Sequence, residues 1–152
     1  VLVAAPLADH EWSREVLDFF DREEEMLEAE DVDGAVELDL RFWLDRSPGS
    51  TPELRERVGA MQRRALELQL PLWDYTEDEL LAERPSERLG EIGAPTLIVA
   101  GQHDVEDFAE IADRLAAGIP GARRETISGA GHLPSLERPE EFNELLLEFL
   151  GE

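Results

Sequence analysis

One stretch of the sequence decides the fold, and it reads Pro95-Thr96-Leu97-Ile98-Val99-Ala100-Gly101-Gln102-His103-Asp104. Its first half is apolar and carries β-branched residues, without the polar alternation of a half-exposed strand. Such a run is typical of a strand that is buried on both faces of a parallel sheet. Gly101 ends the run, so the polar residues after it are predicted to lie beyond the carboxyl end of the strand.

The sequence after this strand alternates between helical and extended patterns. An amphipathic helix comes first, with Phe108, Ile111 and Leu115 on its apolar face. A second strand is predicted over residues 124–127, and Pro139 opens a last helix after a glycine-rich loop. Strands that alternate with helices predict an α/β fold with a parallel sheet.

The sequence before the strand has a different character. Val1 to Ala5 is a short apolar run that ends at a proline and predicts a buried strand. From about Trp12 to Tyr75 the apolar residues recur at helical spacings, and Thr51 is the expected N-cap of one helix. A further short helix is expected near residues 77–89. We therefore divide the chain into a core strand over 1–8, a helical insertion over 9–90 and a second core segment over 91–152.

Two polar groups follow the two predicted strands of the second core segment. Asp104 comes after the first, and His132 lies in the loop Gly129-Ala130-Gly131-His132 after the second. In open parallel sheets, functional groups lie beyond the carboxyl ends of the strands. A histidine can accept a proton from a hydroxyl near neutral pH, and a buried carboxylate fixes its tautomer. Asp104 and His132 are the candidates for such a pair, with side chains expected roughly 2.6–3.2 Å apart.

These motifs resemble the C-terminal part of α/β-hydrolase proteins. In that family, a strand of the type found at Pro95 to Asp104 delivers the triad acid, and a Gly-x-Gly-His loop delivers the triad histidine. The acid and proline of Glu137-Arg138-Pro139 fit the segment that follows in the family. The resemblance implies part of an α/β-hydrolase sheet with an inserted helical cap over 9–90. It further implies Asp104 and His132 as catalytic residues and a reaction that needs no cofactor.

The nucleophile motif of the family, Gly-x-Ser-x-Gly, does not occur in this sequence. We expect the serine on an N-terminal half that belongs to the same gene or to a separate chain. This half would be the partner of the chain, and its backbone would flank Val1 to Ala5 as an inner strand. Without it, the chain is expected to be inactive toward esters.

Other residues have competing interpretations. Asp9 is the alternative triad acid, because some family members carry the acid after the strand that precedes the cap; Asp107 is a weaker alternative. His103 is interpreted as a turn residue. Three residues could contact the substrate: His10, Trp43 and Trp73. The favoured alternative is packing between helices for the two tryptophans and an ordinary loop position for His10. No histidine pair has helical ligand spacing, so no metal site is expected.

Composition narrows the function further. The chain has 37 acidic and 14 basic residues, a net charge of −23 and no cysteine. A surface this negative disfavours nucleic acid and anionic membranes as partners. The absence of cysteine and of a recognisable signal peptide favours a cytoplasmic setting. The resemblance to α/β-hydrolases implies hydrolysis of an ester, lactone or carbon–carbon bond in a small apolar molecule. The alternative is a non-catalytic binding or regulatory half-protein with vestigial triad residues.

Overall fold

The computed structural model of the chain describes residues 1–75 and 84–151, with the side chains of residues 73–75 outside this part. It contains a parallel sheet and helices that surround it. The strands are β1 (Leu2–Val3), β2 (Leu97–Gly101) and β3 (Arg123–Ile127). The α-helices are α1 (Arg14–Glu28), α2 (Val32–Asp39), α3 (Pro52–Gln69), α4 (Glu106–Gly118), α5 (Pro134–Glu137) and α6 (Pro139–Gly151). Shorter segments are a π-helical stretch, Leu40–Leu44, and two 3₁₀ helices, Leu70–Tyr75 and Pro85–Glu91.

The three strands pair in the order β1-β2-β3, and both pairings are parallel. Leu97 of β2 is in register with Arg123 of β3, and Gly101 with Ile127, so the two strands end at the same edge. The predicted α/β fold with a parallel sheet is therefore confirmed. Because the carboxyl ends of β2 and β3 coincide, the loops after them start side by side.

Strand β2 is buried along its whole length and packs helices against both faces. Successive side chains of a strand point to opposite faces of the sheet. Ile98 and Ala100 pack in the cluster that contains residues of α4. Leu97 and Val99 pack on the other side, where α6 contributes Phe142, Leu145 and Phe149. This two-sided burial is the reason that the sequence of β2 shows no polar alternation.

The segment between β1 and β2 is helical, and its helices begin at the expected kinds of residue. The Thr51 hydroxyl accepts a hydrogen bond from the Leu54 N–H at 3.2 Å, which confirms Thr51 as the N-cap of α3. Ser13 caps α1 in the same way. Side-chain caps of this kind typically stabilise a helix by about 1 kcal/mol. An apolar cluster joins α1, α2 and α3, with Leu27, Val36 and Leu54 among its buried members.

The structure differs from the expectations at three places. Strand β1 has two residues instead of five and lies at one edge of the sheet formed by the described residues. The expected inner position, with a partner strand on its other side, stays a prediction. The helix expected near 77–89 falls partly outside the described residues, and the described remainder is the 3₁₀ helix Pro85–Glu91. Helix α5 was not expected, because four residues show no periodicity.

In the described ranges, none of the helices combines the length and the apolar character that a bilayer-spanning segment requires.

Candidate active site

The loops after β2 and β3 approach each other closely, and Gly101 makes this possible. A Cβ atom on Gly101 would lie 1.9 Å from the carbonyl oxygen of Gly131, a distance that no real side chain tolerates. The loops are then held by backbone hydrogen bonds, of which His103 N–H to the Ala130 carbonyl, at 2.8 Å, is one. A glycine at the end of β2 therefore brings the residues after both strands into contact.

This contact places Asp104 beside His132. The Nδ1 atom of His132 lies 3.1 Å from both carboxylate oxygens of Asp104, within the distance expected from the sequence. The Asp104 side chain is only 2% exposed and that of His132 is 21% exposed. The Asp104 carboxylate also accepts a hydrogen bond from the Val105 N–H at 2.8 Å. Because a carboxylate only accepts, Nδ1 is the donor in this contact, and in the neutral ring the lone pair is then on Nε2.

A second buried carboxylate fixes the loop around His132. Glu137 in α5 is 5% exposed and accepts hydrogen bonds from the N–H groups of Gly131 and Leu133, each at 2.9 Å. These residues flank His132 on both sides. The Ser47 hydroxyl, from the turn before α3, also donates to this carboxylate. Hydrogen bonds to a charged acceptor are stronger than neutral ones, so Glu137 holds the histidine loop in one conformation.

Aromatic side chains enclose the imidazole. The ring centroid of Trp43 lies 4.4 Å from that of His132, and the Phe108 centroid lies 4.5 Å away in an edge-to-face arrangement. Trp43 comes from the helical segment between β1 and β2, while Phe108 begins the apolar face of α4. The imidazole therefore sits where the helical segment meets the sheet.

Next to His132 lies a pocket of about 390 Å³. Most of its wall is apolar, and two polar residues, Asp39 and Gln62, contribute the rest together with His132. The carboxyl of Glu23, in α1, lies beside the carboxyl of Asp39. Burial and this neighbour raise the pKa of Glu23 to about 7. Burial also raises the pKa of Asp39 above its usual value, against the hydrogen bonds from Glu23 and Gln62. The apolar wall residues are Leu40, Trp43, Leu44, Val58, Met61, Ala65, Leu133 and Leu136.

The alternative acids have other partners. Asp9 accepts a hydrogen bond from the Ser86 hydroxyl, and this bond holds the pKa of Asp9 below its usual value. Asp107 accepts from the Ser13 N–H at 2.7 Å and lies 3.1 Å from Nε2 of His10. The structure therefore brings Asp104 to His132, and it brings neither Asp9 nor Asp107 there.

The other sequence-predicted residues are distributed as follows. Trp43 lines the pocket, as a substrate-contacting residue would. His10 is outside the described pocket wall: its side chain is 5% exposed, Nε2 faces Asp107, and Nδ1 lies 3.5 Å from Arg114. Both ring nitrogens of His10 therefore have protein neighbours, and a substrate contact by His10 stays a prediction. The Trp73 side chain lies outside the described residues. His103 is exposed in the turn after β2.

The sequence patterns indicated no role in the site for Glu137, Asp39, Gln62 or Phe108. The only signal for Glu137 was its place in the segment that resembles the family. Asp39 and Gln62 are ordinary polar residues of amphipathic helices until the helices are packed.

Within the described ranges, no three histidine or acidic side chains are grouped closely enough to hold a metal ion.

Comparison with known proteins agrees with this geometry. The sequence profile of the alpha/beta hydrolase family matches residues 1–145. A 2-hydroxy-6-oxononadienedioate/2-hydroxy-6-oxononatrienedioate hydrolase of Cupriavidus pinatubonensis is 41% identical over 64 residues, which are 42% of this chain and 22% of that protein. Carboxylesterase YbfK of Bacillus subtilis is 37% identical over 65 residues, again 42% of this chain and 22% of the relative.

Solved structures give the same result over a longer span. The structure of Est816, described as an N-acyl homoserine lactone degrading enzyme, superposes with a TM-score of 0.63 at 30% sequence identity. The superposition covers 84% of this chain and 50% of Est816. The matches thus span about a fifth of the curated relatives and half of the solved structure. With a profile match over nearly its whole length, the chain belongs to the alpha/beta hydrolase family.

Proposed function

We propose that this chain supplies the acid and the histidine of a serine-type hydrolase, with Asp104 and His132 in these roles. The observation that carries the proposal is the hydrogen bond between the buried Asp104 carboxylate and Nδ1 of His132, next to an apolar pocket. A histidine with a purely structural role would not need a place in the wall of a cavity. The arrangement is the one that a general base requires.

In the proposed mechanism, Nε2 of His132 accepts the proton of a serine hydroxyl as that oxygen attacks the substrate. The imidazolium formed is stabilised by the Asp104 carboxylate, which holds the Nδ1 proton throughout. His132 then gives its proton to the leaving group. Water repeats the sequence in the second half of the reaction, and the serine is regenerated.

The nucleophile belongs to a segment that is not part of this sequence. We propose that this segment carries Gly-x-Ser-x-Gly and that its serine faces Nε2 of His132 across the pocket. In such elbows the backbone also supplies donors for the oxyanion, so the same segment would complete the site.

The substrate class is a small, mainly apolar molecule with an ester, a lactone or a hydrolysable carbon–carbon bond. The apolar wall of the pocket supports the apolar part of this description. The relatives named above, a carboxylesterase and a lactone-degrading enzyme among them, support the range of bonds. Trp43 is the proposed substrate contact in the described part of the chain, and Trp73 remains a further candidate.

The test compares the isolated chain with the natural gene product that contains it, using p-nitrophenyl butyrate as substrate. The gene product should hydrolyse the ester, and the isolated chain should not. His132→Ala and Asp104→Asn in the gene product should each lower kcat by at least about 1000-fold, since triad members act as a unit.

His103→Ala is the matched control, because His103 adjoins Asp104 but is exposed. It should keep its kcat within about twofold, as expected of a surface position. Undiminished turnover by His132→Ala would refute the proposed role. A gene product that binds apolar esters without cleaving them would instead favour a binding module with vestigial triad residues.

A further inference from the structure

The pocket beside His132 has a polar group in its otherwise apolar wall. Asp39 ends α2, and Gln62 lies in the middle of α3. Nε2 of Gln62 donates a hydrogen bond of 2.6 Å to one carboxylate oxygen of Asp39. Asp39 is 5% exposed, and both residues line the same cavity as His132.

Acceptors predominate in this group. One N–H of the Gln62 amide is used by Asp39, which leaves the amide oxygen as an acceptor and the second N–H as a donor. The Asp39 carboxylate accepts only; its Oδ2 is bonded to Gln62 and its Oδ1 is buried. The described wall of the pocket contains no arginine or lysine, and the Glu23 carboxyl adjoins Asp39. The described part of the cavity is therefore rich in acceptors and has no cation to neutralise an anion.

Because Asp39 is buried, the excess of acceptors in this cavity favours some ligand groups over others. A carboxylate that entered the cavity would lose its hydration and meet Asp39 without a counter-ion, which is costly in a partly dry environment. A hydroxyl or an amide N–H at the same place would donate to a charged acceptor, which gives a strong hydrogen bond. A plain methyl group at the same place would form no hydrogen bond with Asp39 or Gln62.

We propose that Asp39 and Gln62 are specificity-determining residues that select an uncharged substrate with a hydrogen-bond donor at the end of its apolar chain. They reject a chain that ends in a carboxylate. The inference rests on the proposed function and narrows its substrate class. The proposed specificity differs from that of the Cupriavidus pinatubonensis relative, which is named as the hydrolase of a dioate.

The test uses the natural gene product and three methyl esters of equal chain length: methyl hexanoate, methyl 6-hydroxyhexanoate and monomethyl adipate. Acid release in a pH-stat gives kcat/KM for each. The hydroxyl ester should exceed the adipate ester at least about tenfold, with the plain ester between them. Asp39→Asn removes the charge and should reduce this discrimination by about tenfold or more.

Asp33→Asn is the matched control, because Asp33 is an exposed acid of the same helix α2. It should leave the order and the ratios of the three esters unchanged. If Asp39→Asn does not fold, Gln62→Leu takes its place and should abolish the preference for the hydroxyl ester over the plain ester. Thermal unfolding of each variant identifies a loss of structure.

The outcomes separate the two proposals. Equal kcat/KM values for the three esters, or ratios that Asp39→Asn leaves intact, would overturn the specificity inference and leave the hydrolase proposal standing. If no ester is cleaved, the hydrolase proposal fails, and calorimetric binding of 1,6-hexanediol and adipate tests the pocket directly. Adipate binding as tightly as the diol would overturn the inference in that case also.

Discussion

The hydroxyl of Ser47 donates a hydrogen bond to the buried carboxylate of Glu137, although 90 positions of sequence separate the two residues. Ser47 belongs to the turn between the helices of the inserted segment, and Glu137 holds the loop of His132 through two backbone N–H groups. The contact therefore joins the helical segment between β1 and β2 to the loop of His132. A displacement of this segment that breaks the contact would remove one of the hydrogen bonds that the Glu137 carboxylate accepts.

We predict that Glu137→Ala destabilises the protein by about 2–5 kcal/mol, since it leaves the N–H groups of Gly131 and Leu133 buried without an acceptor. The turnover of the gene product should also fall, because His132 would lose its fixed orientation. Denaturant unfolding and kcat measurements test this. Glu140→Gln, an exposed neighbour in α6, is the control and should change stability by less than about 0.5 kcal/mol. Equal stability of the two variants would contradict the role of Glu137.

A second prediction concerns the approach of the two loops at Gly101. Gly101→Ala puts a Cβ atom into the carbonyl of Gly131, so β2 and the histidine loop must move apart. We expect a loss of at least about 1–3 kcal/mol, as for other overpacked sites. Gly93→Ala is the matched control, because a Cβ atom there meets nothing within 4 Å. Denaturant unfolding of both variants decides the matter, and a Gly101→Ala variant as stable as Gly93→Ala would contradict the account.

The core and its catalytic candidates could be predicted from the sequence because their signals are local. The fully apolar run of β2 reflects burial on both faces. Asp104 and His132 each follow a strand directly, and parallel strands in register place such residues at one edge. No information from distant parts of the chain was needed to bring them together.

The rest of the site depends on how the helical segment between β1 and β2 packs, and this packing has no local signal in the sequence. The hydrogen bond between Asp39 and Gln62 joins two helices, and Trp43 of this segment contacts His132 in the loop after β3. The surroundings of His10 depend on packing in the same way. Its place in the sequence suggested a substrate contact, which stays a prediction, and the packing of α4 brings Asp107 to its Nε2.

A third prediction follows from the raised pKa of Glu23. Between its ordinary value of 4.5 and about 7, the folded chain holds a proton on Glu23 that the unfolded chain has lost. Stability from this group therefore falls as the pH rises through this window and is constant above it. After a discount for partial solvent exposure, we expect Glu23→Gln to gain about 1–2 kcal/mol over the wild type at pH 8 relative to pH 5.

Thermal unfolding at the two pH values measures this difference. Glu24→Gln is the control, since Glu24 is exposed on the same helix α1, and its difference from the wild type should not depend on pH. A gain of Glu23→Gln that is larger at pH 5 than at pH 8 would show that the sign is reversed.

The last prediction separates two aspartates that lie three positions apart. Burial raises the pKa of Asp107, but hydrogen bonds from Ser13 and His10 outweigh it and hold the pKa below its usual value. Its stabilising contribution is therefore present at neutral pH and is lost only as the pH falls below about 3.8, the ordinary value. Asp107 belongs to the first turn of α4 and accepts from the N–H of Ser13, the N-cap of α1, so we expect its role to be structural.

Asp107→Asn should accordingly destabilise the protein by about 1–3 kcal/mol at pH 7, because the charged acceptor of the Ser13 N–H and His10 is replaced by a neutral amide. Its kcat with a neutral ester should stay within about twofold of the wild type. Asp104→Asn should show the opposite pattern, with a kcat lower by at least about 1000-fold and a smaller loss of stability. Glu110→Gln, exposed on α4, controls for the loss of a negative charge and should change neither quantity. If Asp107→Asn instead abolished turnover in a protein of undiminished stability, the assignment of the acid to Asp104 would have to be abandoned, because the histidine would then depend on the carboxylate that the structure places against His10.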